Sequence, residues 1–118
     1  MKLVSGALLS CLVASGQAPS LKRLPPPKVR PVTAAGVTFR APNDDGRRGY
    51  VVATEATTGR RLWELTIFTV AEDPALEADV QWTYIVRLGV RGQTLTVVDE
   101  EDRVFRVDLK TRNVLVSK

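Results

Sequence analysis

The chain has no histidine and one cysteine, Cys11. Without histidine it lacks the side chain whose charge changes near neutral pH, and with it the commonest metal ligand. Ser-His-Asp and Cys-His nucleophile arrangements are therefore excluded. Aromatic residues make up only 6% of the sequence, and none are interleaved with basic clusters as stacking platforms for single-stranded nucleic acid are. No apolar run approaches the ~20 residues that a membrane-spanning helix needs. A phosphate-cradling loop is also missing. Gly46-Arg47-Arg48-Gly49 lacks both the Walker spacing and the following Lys-Ser/Thr pair.

What is present fits a single small domain. The chain has 118 residues, 44% hydrophobic and 25% charged, which is ordinary for a globular protein. Its start reads differently. Met1-Lys2 gives a positive beginning, Leu3 to Ala14 is mostly apolar, and small residues follow through Ala18. That is the layout of a secretory signal, assigned to residues 1–18 with cleavage after Gly16. The competing reading is a buried amino-terminal strand or helix. Cys11 lies inside this segment, and Leu8-Leu9-Ser10-Cys11 resembles a bacterial lipoprotein box. The sequence thus implies an exported protein, periplasmic or secreted, held to a membrane only if Cys11 is acylated. If it is not, the mature chain has neither a disulfide nor a thiol.

The net charge of +4 is unevenly spread. Lys22, Arg23, Lys28, Arg30, Arg40, Arg47 and Arg48 face only Asp44 and Asp45 in residues 17–48, whereas residues 49–118 hold nine basic and eleven acidic side chains. The positive charge thus belongs to the tether and the first loop, which argues against nucleic acid as a partner. Residues 19–35, with Leu24-Pro25-Pro26-Pro27 and Arg30-Pro31, favour an extended polyproline conformation. They read as a basic tether, either a solvated spacer or a strip lying along an anionic envelope surface, whose removal costs little stability.

Residues 36–118 read as all-β. Seven strands are expected: Val37–Arg40, Gly49–Thr54, Arg61–Val70, Trp82–Val90, Thr94–Val98, Arg103–Leu109 and Val114–Ser117. Short polar turns separate most of them, which predicts an antiparallel meander. Asp73-Pro74 places a capping residue before a proline, so a short helical turn is expected near 73–79. A weak internal repeat at an offset of 53 aligns Val51 with Val104, Glu55 with Asp108, Thr58 with Thr111 and Leu62 with Leu115.

The residues Ala53, Glu55, Thr58, Gly59, Arg60 and Trp63 form a pattern that resembles the A-x-D-x-x-T-G-K-x-x-W docking motif of quinoprotein-type (PQQ-like) β-propeller repeats, with Glu for Asp and Arg for Lys. The second copy keeps Asp108 and Thr111 but has Arg106, Arg112 and Val116 where the family has Ala, Gly and Trp. The resemblance implies one or two propeller blades, forming a small sandwich or a strongly curved sheet, with Trp63 as a packing element. It does not imply the family's quinone cofactor, which sits in a channel that needs roughly 4–8 blades.

No catalytic, cofactor or metal residues are assigned. Asn43-Asp44-Asp45-Gly46 and Asp99-Glu100-Glu101-Asp102 supply oxygen ligands without the spacing of a calcium loop, and read as solvated turn formers. The expected function is a non-catalytic envelope protein that binds another protein or a cell-wall polymer. The alternatives are an Asp/Glu-based metal-dependent hydrolase and a purely structural, self-associating subunit.

Overall fold

A computed structural model describes residues 25–71, 73–76 and 81–117. It is all-β, with eight antiparallel strands in two four-stranded sheets. The first sheet has the order β1 (Val32–Ala34), β2 (Val37–Arg40), β3 (Arg48–Glu55), β4 (Arg61–Thr69). The second repeats that plan with β5 (Ile85–Arg91), β6 (Thr94–Asp99), β7 (Val104–Asp108), β8 (Val114–Ser117). Within each sheet, neighbours in space are neighbours in sequence.

Alternation along the strands explains why the sheets meet face to face. Register pairs Val51 with Leu65 and Ala53 with Trp63, and pairs Leu95 with Val107 and Val97 with Phe105. These side chains join one core with Phe39, Phe68, Ile85 and Leu88. Phe68 stacks on Phe105 across the interface with centroids 5.3 Å apart. A bulge between Gly49 and Tyr50 helps set this contact, because Phe68 then lies opposite Gly49. A Cβ at Gly49 would come within 2.3 Å of the Phe68 ring, so only glycine admits the aromatic at that height.

Two expectations need correction, and a third is met by only part of its residues. The composition carries the tether through residue 35, yet Val32–Ala34 forms β1 and pairs with β2. The hairpin between them has two residues, Ala35 and Gly36, at φ 51° and 78°, as a type I′ turn requires. Val29 and Val32 also pack against the core. Prolines and cations dominate the composition there and conceal a strand that starts immediately after Pro31. Residues 19–24 of the tether lie outside the described residues, as does the whole signal segment.

The strand expected from Trp82 begins only at Ile85. The Thr83 N–H donates to the Gly46 carbonyl and the Tyr84 N–H to Glu100 Oε1, so neither is free for a ladder. Of the helical turn expected near 73–79, residues 73–76 form a turn, and 77–79 lie outside the described residues. Asp73 Oδ1 accepts from the Ala75 N–H, and the Leu76 N–H donates to the Asp73 carbonyl.

Deleting residues 1–35 is therefore expected to cost more than ~2 kcal/mol, the scale of one buried apolar side chain, because it strips β1 from the sheet edge. Urea melts of the full and shortened chains check this. Equal midpoints would mean that β1 adds nothing.

Candidate functional site

The docking-like motif occupies the hairpin that joins β3 to β4. Ala53 is fully buried and faces Trp63 across the strand pair. Beyond it the chain turns through residues 56–59. The Gly59 N–H donates to the Glu55 carbonyl and the Glu55 N–H to the Arg60 carbonyl. Gly59 sits at φ 78°, a conformation that costs glycine little. Thr58 Oγ1 donates to Glu55 Oε1 and accepts from the Arg60 N–H. Arg60 reaches the Glu55 carboxylate at 3.8 Å, an exposed pair of small energetic weight. The acidic residue, threonine and glycine of the pattern thus build the turn itself.

The hairpin joining β7 to β8 repeats this construction. The Arg112 N–H donates to the Asp108 carbonyl, the Asp108 N–H to the Asn113 carbonyl, and the Asn113 N–H to Thr111 Oγ1. Arg112 takes the place of Gly59 and holds φ 63°. Its guanidinium lies over the Trp63 ring, 5.1 Å from the centroid, so the degenerate copy of the motif covers the tryptophan of the good one.

Trp63 is half-buried. It tilts against Phe39 at 5.9 Å and forms one wall of an apolar cleft of about 170 Å³ with Val37, Val90 and Leu109. Trp82 is also half-buried. Its ring lies against Gly46, where a Cβ would approach it to 2.4 Å, and beneath Arg47 at 5.5 Å. The two environments are alike in kind. Trp63→Ala and Trp82→Ala are therefore expected to cost ~2–4 kcal/mol each, somewhat below full burial of a large aromatic, and to differ by less than about 1 kcal/mol. Paired denaturant melts read the difference, and a wide gap in either direction refutes it.

The acidic runs are occupied by local hydrogen bonds. Asp44 accepts from the Tyr50 hydroxyl at 2.8 Å, and Asp45 Oδ1 accepts from the Arg47 N–H. Asp99 is fully buried. Its Oδ1 accepts from the Glu101 and Arg103 N–H groups, and its Oδ2 accepts from Arg103 Nε at 2.7 Å. Among the described residues no cluster of three acidic or cysteine side chains has metal-binding geometry. Cys11 lies outside the described residues.

Asn43 is the residue that sequence reasoning underrated. It is buried, at φ 54°, and its side chain grips the backbone of another sheet. Nδ2 donates to the carbonyls of Ile85 and Pro27 at 2.8 and 2.9 Å, and Oδ1 accepts from the Ile85 N–H at 3.1 Å.

Burial and the hydrogen bond to Asp44 raise the Tyr50 pKa above its ordinary value of 10.0. The folded state then holds this proton more tightly than the unfolded chain does. The resulting stability is present below pH ~10 and is lost as pH climbs through the raised value. Ultraviolet titration should show a late-ionising phenol that disappears in Tyr50→Phe; an unchanged titration curve would contradict this.

At the ends of the sheets, β8 differs from its counterpart β4. Arg61 and Glu64 pair on β4, but Val114, Leu115, Val116 and Ser117 of β8 carry no charge. Leu115 is 70% and Val116 62% exposed. Val116 pairs with the buried Phe105 and Leu115 with the exposed Arg106, so apolar side chains stand open on both faces of one edge strand.

Comparison with protein-family models and with curated proteins finds no match.

Proposed function

We propose that the chain is a non-catalytic exported envelope protein that binds a partner protein or a cell-wall polymer, and that the β8 edge receives an extended segment of a protein partner. The uncharged, exposed β8 edge carries this reading. Sheet edges are commonly blunted with charge, proline or a covering loop, and β8 has no charged residue or proline. An open edge binds by main-chain hydrogen bonds, while side-chain pockets on alternate faces supply selectivity.

The lack of histidine and the engagement of the acidic runs in turn hydrogen bonds favour binding over hydrolysis. The repeated four-strand meander and the paired docking-type hairpins support a kinship with quinoprotein-type propeller blades, here as a two-sheet unit. The signal-like residues 1–18 support export, with a mature terminus near Gln17 or at acylated Cys11.

Fractionation with amino-terminal mass spectrometry tests the location, and an intact Met1 on a cytoplasmic species overturns it. Crosslinking in envelope extract, mapped by peptide, tests the surface. Crosslinks should fall on residues 114–117 and vanish in Leu115→Lys, which installs the missing edge charge. Crosslinks that ignore the substitution overturn the assignment to β8.

A further inference from the structure

The two sheets treat the arginines on their outer faces differently. On the first sheet, Arg48 and Arg61 each meet Glu64 at 3.0 Å, and Arg48 also donates to Thr66 Oγ1. One carboxylate there engages two guanidinium groups. On the second sheet, the register pairs Arg87 with Val98, Gly89 with Thr96, Arg91 with Thr94 and Thr96 with Arg106. Leu88, Leu95, Val97, Phe105 and Val107 point into the core, so Arg87, Arg91 and Arg106 share the outward side. All three are exposed. None has an acidic or hydrogen-bonding partner among the described residues. The carboxylate nearest in register, Asp108, turns its Oδ1 to the N–H groups of Lys110 and Thr111.

Gly89 lies among these arginines, and a Cβ there would meet nothing within 4 Å. The ground between them is therefore bare backbone flanked by Thr94 and Thr96. Arg30 extends the strip past β5, since it lines a cleft of about 330 Å³ together with Arg87, Val32, Val86 and Leu88.

We propose that this outer face binds an extended anionic polymer of the cell wall, one that carries a phosphate or carboxylate on successive repeats. Arg87 and Arg91 stand four residues apart on one strand, roughly 13 Å, and Arg106 lies two strands away, roughly 10 Å. That separation suits successive charges along a chain better than one small anion. Guanidinium forks match phosphate and carboxylate oxygens, and the threonine hydroxyls and bare amide floor suit a hydroxyl-rich backbone. The face presents no aromatic side chain on which a nucleic-acid base would stack. The proposal rests on the envelope reading above for where the polymer is met, and its face borders the β8 edge, where Leu115 pairs with Arg106.

Long-chain inorganic polyphosphate is the probe, measured by fluorescence anisotropy across a salt series with the intact chain. Three arginine contacts, or four where Arg30 joins them, predict a slope of log affinity on log salt of about −2 to −3, from roughly −0.7 per contact on a flexible polyanion. Combined Arg87→Gln, Arg91→Gln and Arg106→Gln should weaken binding about tenfold or more at low salt. Paired Arg48→Gln and Arg61→Gln on the other face should leave it within about twofold, as should Val116→Lys, which alters the β8 edge on the side of Phe105, away from the arginines. If the triple variant does not fold, Arg106→Gln alone should weaken binding about twofold to threefold. Absence of binding, equal losses on both faces, or tighter binding to phosphatidylglycerol vesicles than to polyphosphate overturns the proposal.

Discussion

Asn43→Ala should lower stability by ~3–5 kcal/mol, a large part of the ~5–15 kcal/mol that a domain possesses. The substitution removes both partners that Ile85 has for its N–H and carbonyl at this point, and one for the Pro27 carbonyl. Each buried polar group left without a partner costs ~1–3 kcal/mol. Alanine must also hold the positive φ of 54°, at a further ~1–2 kcal/mol. Asn43→Gly separates the two contributions. It relieves the backbone strain but not the lost hydrogen bonds, so it should be milder than alanine by about 1 kcal/mol. Asn43→Asp should not rescue, because it sets a carboxylate oxygen against two carbonyls. A urea midpoint for Asn43→Ala within 1 M of wild type, about 1–3 kcal/mol by the usual slope, would show that the clasp is not the tie described.

Asp99→Ala is the second large effect, again ~3–5 kcal/mol, the cost of breaking a buried ion pair from one side. Asp99 is 0% exposed and accepts three hydrogen bonds. Its loss orphans two backbone N–H groups and the Arg103 side chain. That guanidinium also lies 5.3 and 5.4 Å from the Phe68 and Phe105 rings, so its displacement disturbs the aromatic stack. Asp108 provides the internal comparison. It organises its turn through the same kind of side-chain acceptor but is exposed, so Asp108→Ala should cost only ~1 kcal/mol, the scale of an exposed cap. Chemical denaturation of the pair checks the ranking, and comparable losses would mean that burial is not what makes Asp99 expensive.

The strands were legible in the sequence because alternation and turn residues report one local choice at a time. Val51, Ala53, Leu95, Val97, Phe105 and Val107 all fall on the faces that alternation assigns. The repeat at an offset of 53 was legible for the same reason, since Glu55 and Asp108 start equivalent turns. Long-range partnership was not legible. Asn43 sits in a run that announces only a turn, and nothing local says that its amide meets Ile85. β1 was hidden because prolines and cations set the character of a window in which three strand residues are a minority. The arginine face was hidden by averaging. The body balances in total charge, while register gathers Arg87, Arg91 and Arg106 on one side of the second sheet and leaves that sheet's acidic side chains at strand ends and in turns.

The strand order has a kinetic consequence. Every ladder in both sheets joins consecutive strands, so each can zip from its own hairpin without waiting for a distant segment. Loop closure is inexpensive at such separations, and chains rich in local contacts fold quickly for their size. Each half holds a complete ladder set of its own. The contacts that must wait for distant residues are those between the sheets, among them Asn43 on Ile85 and Phe68 on Phe105.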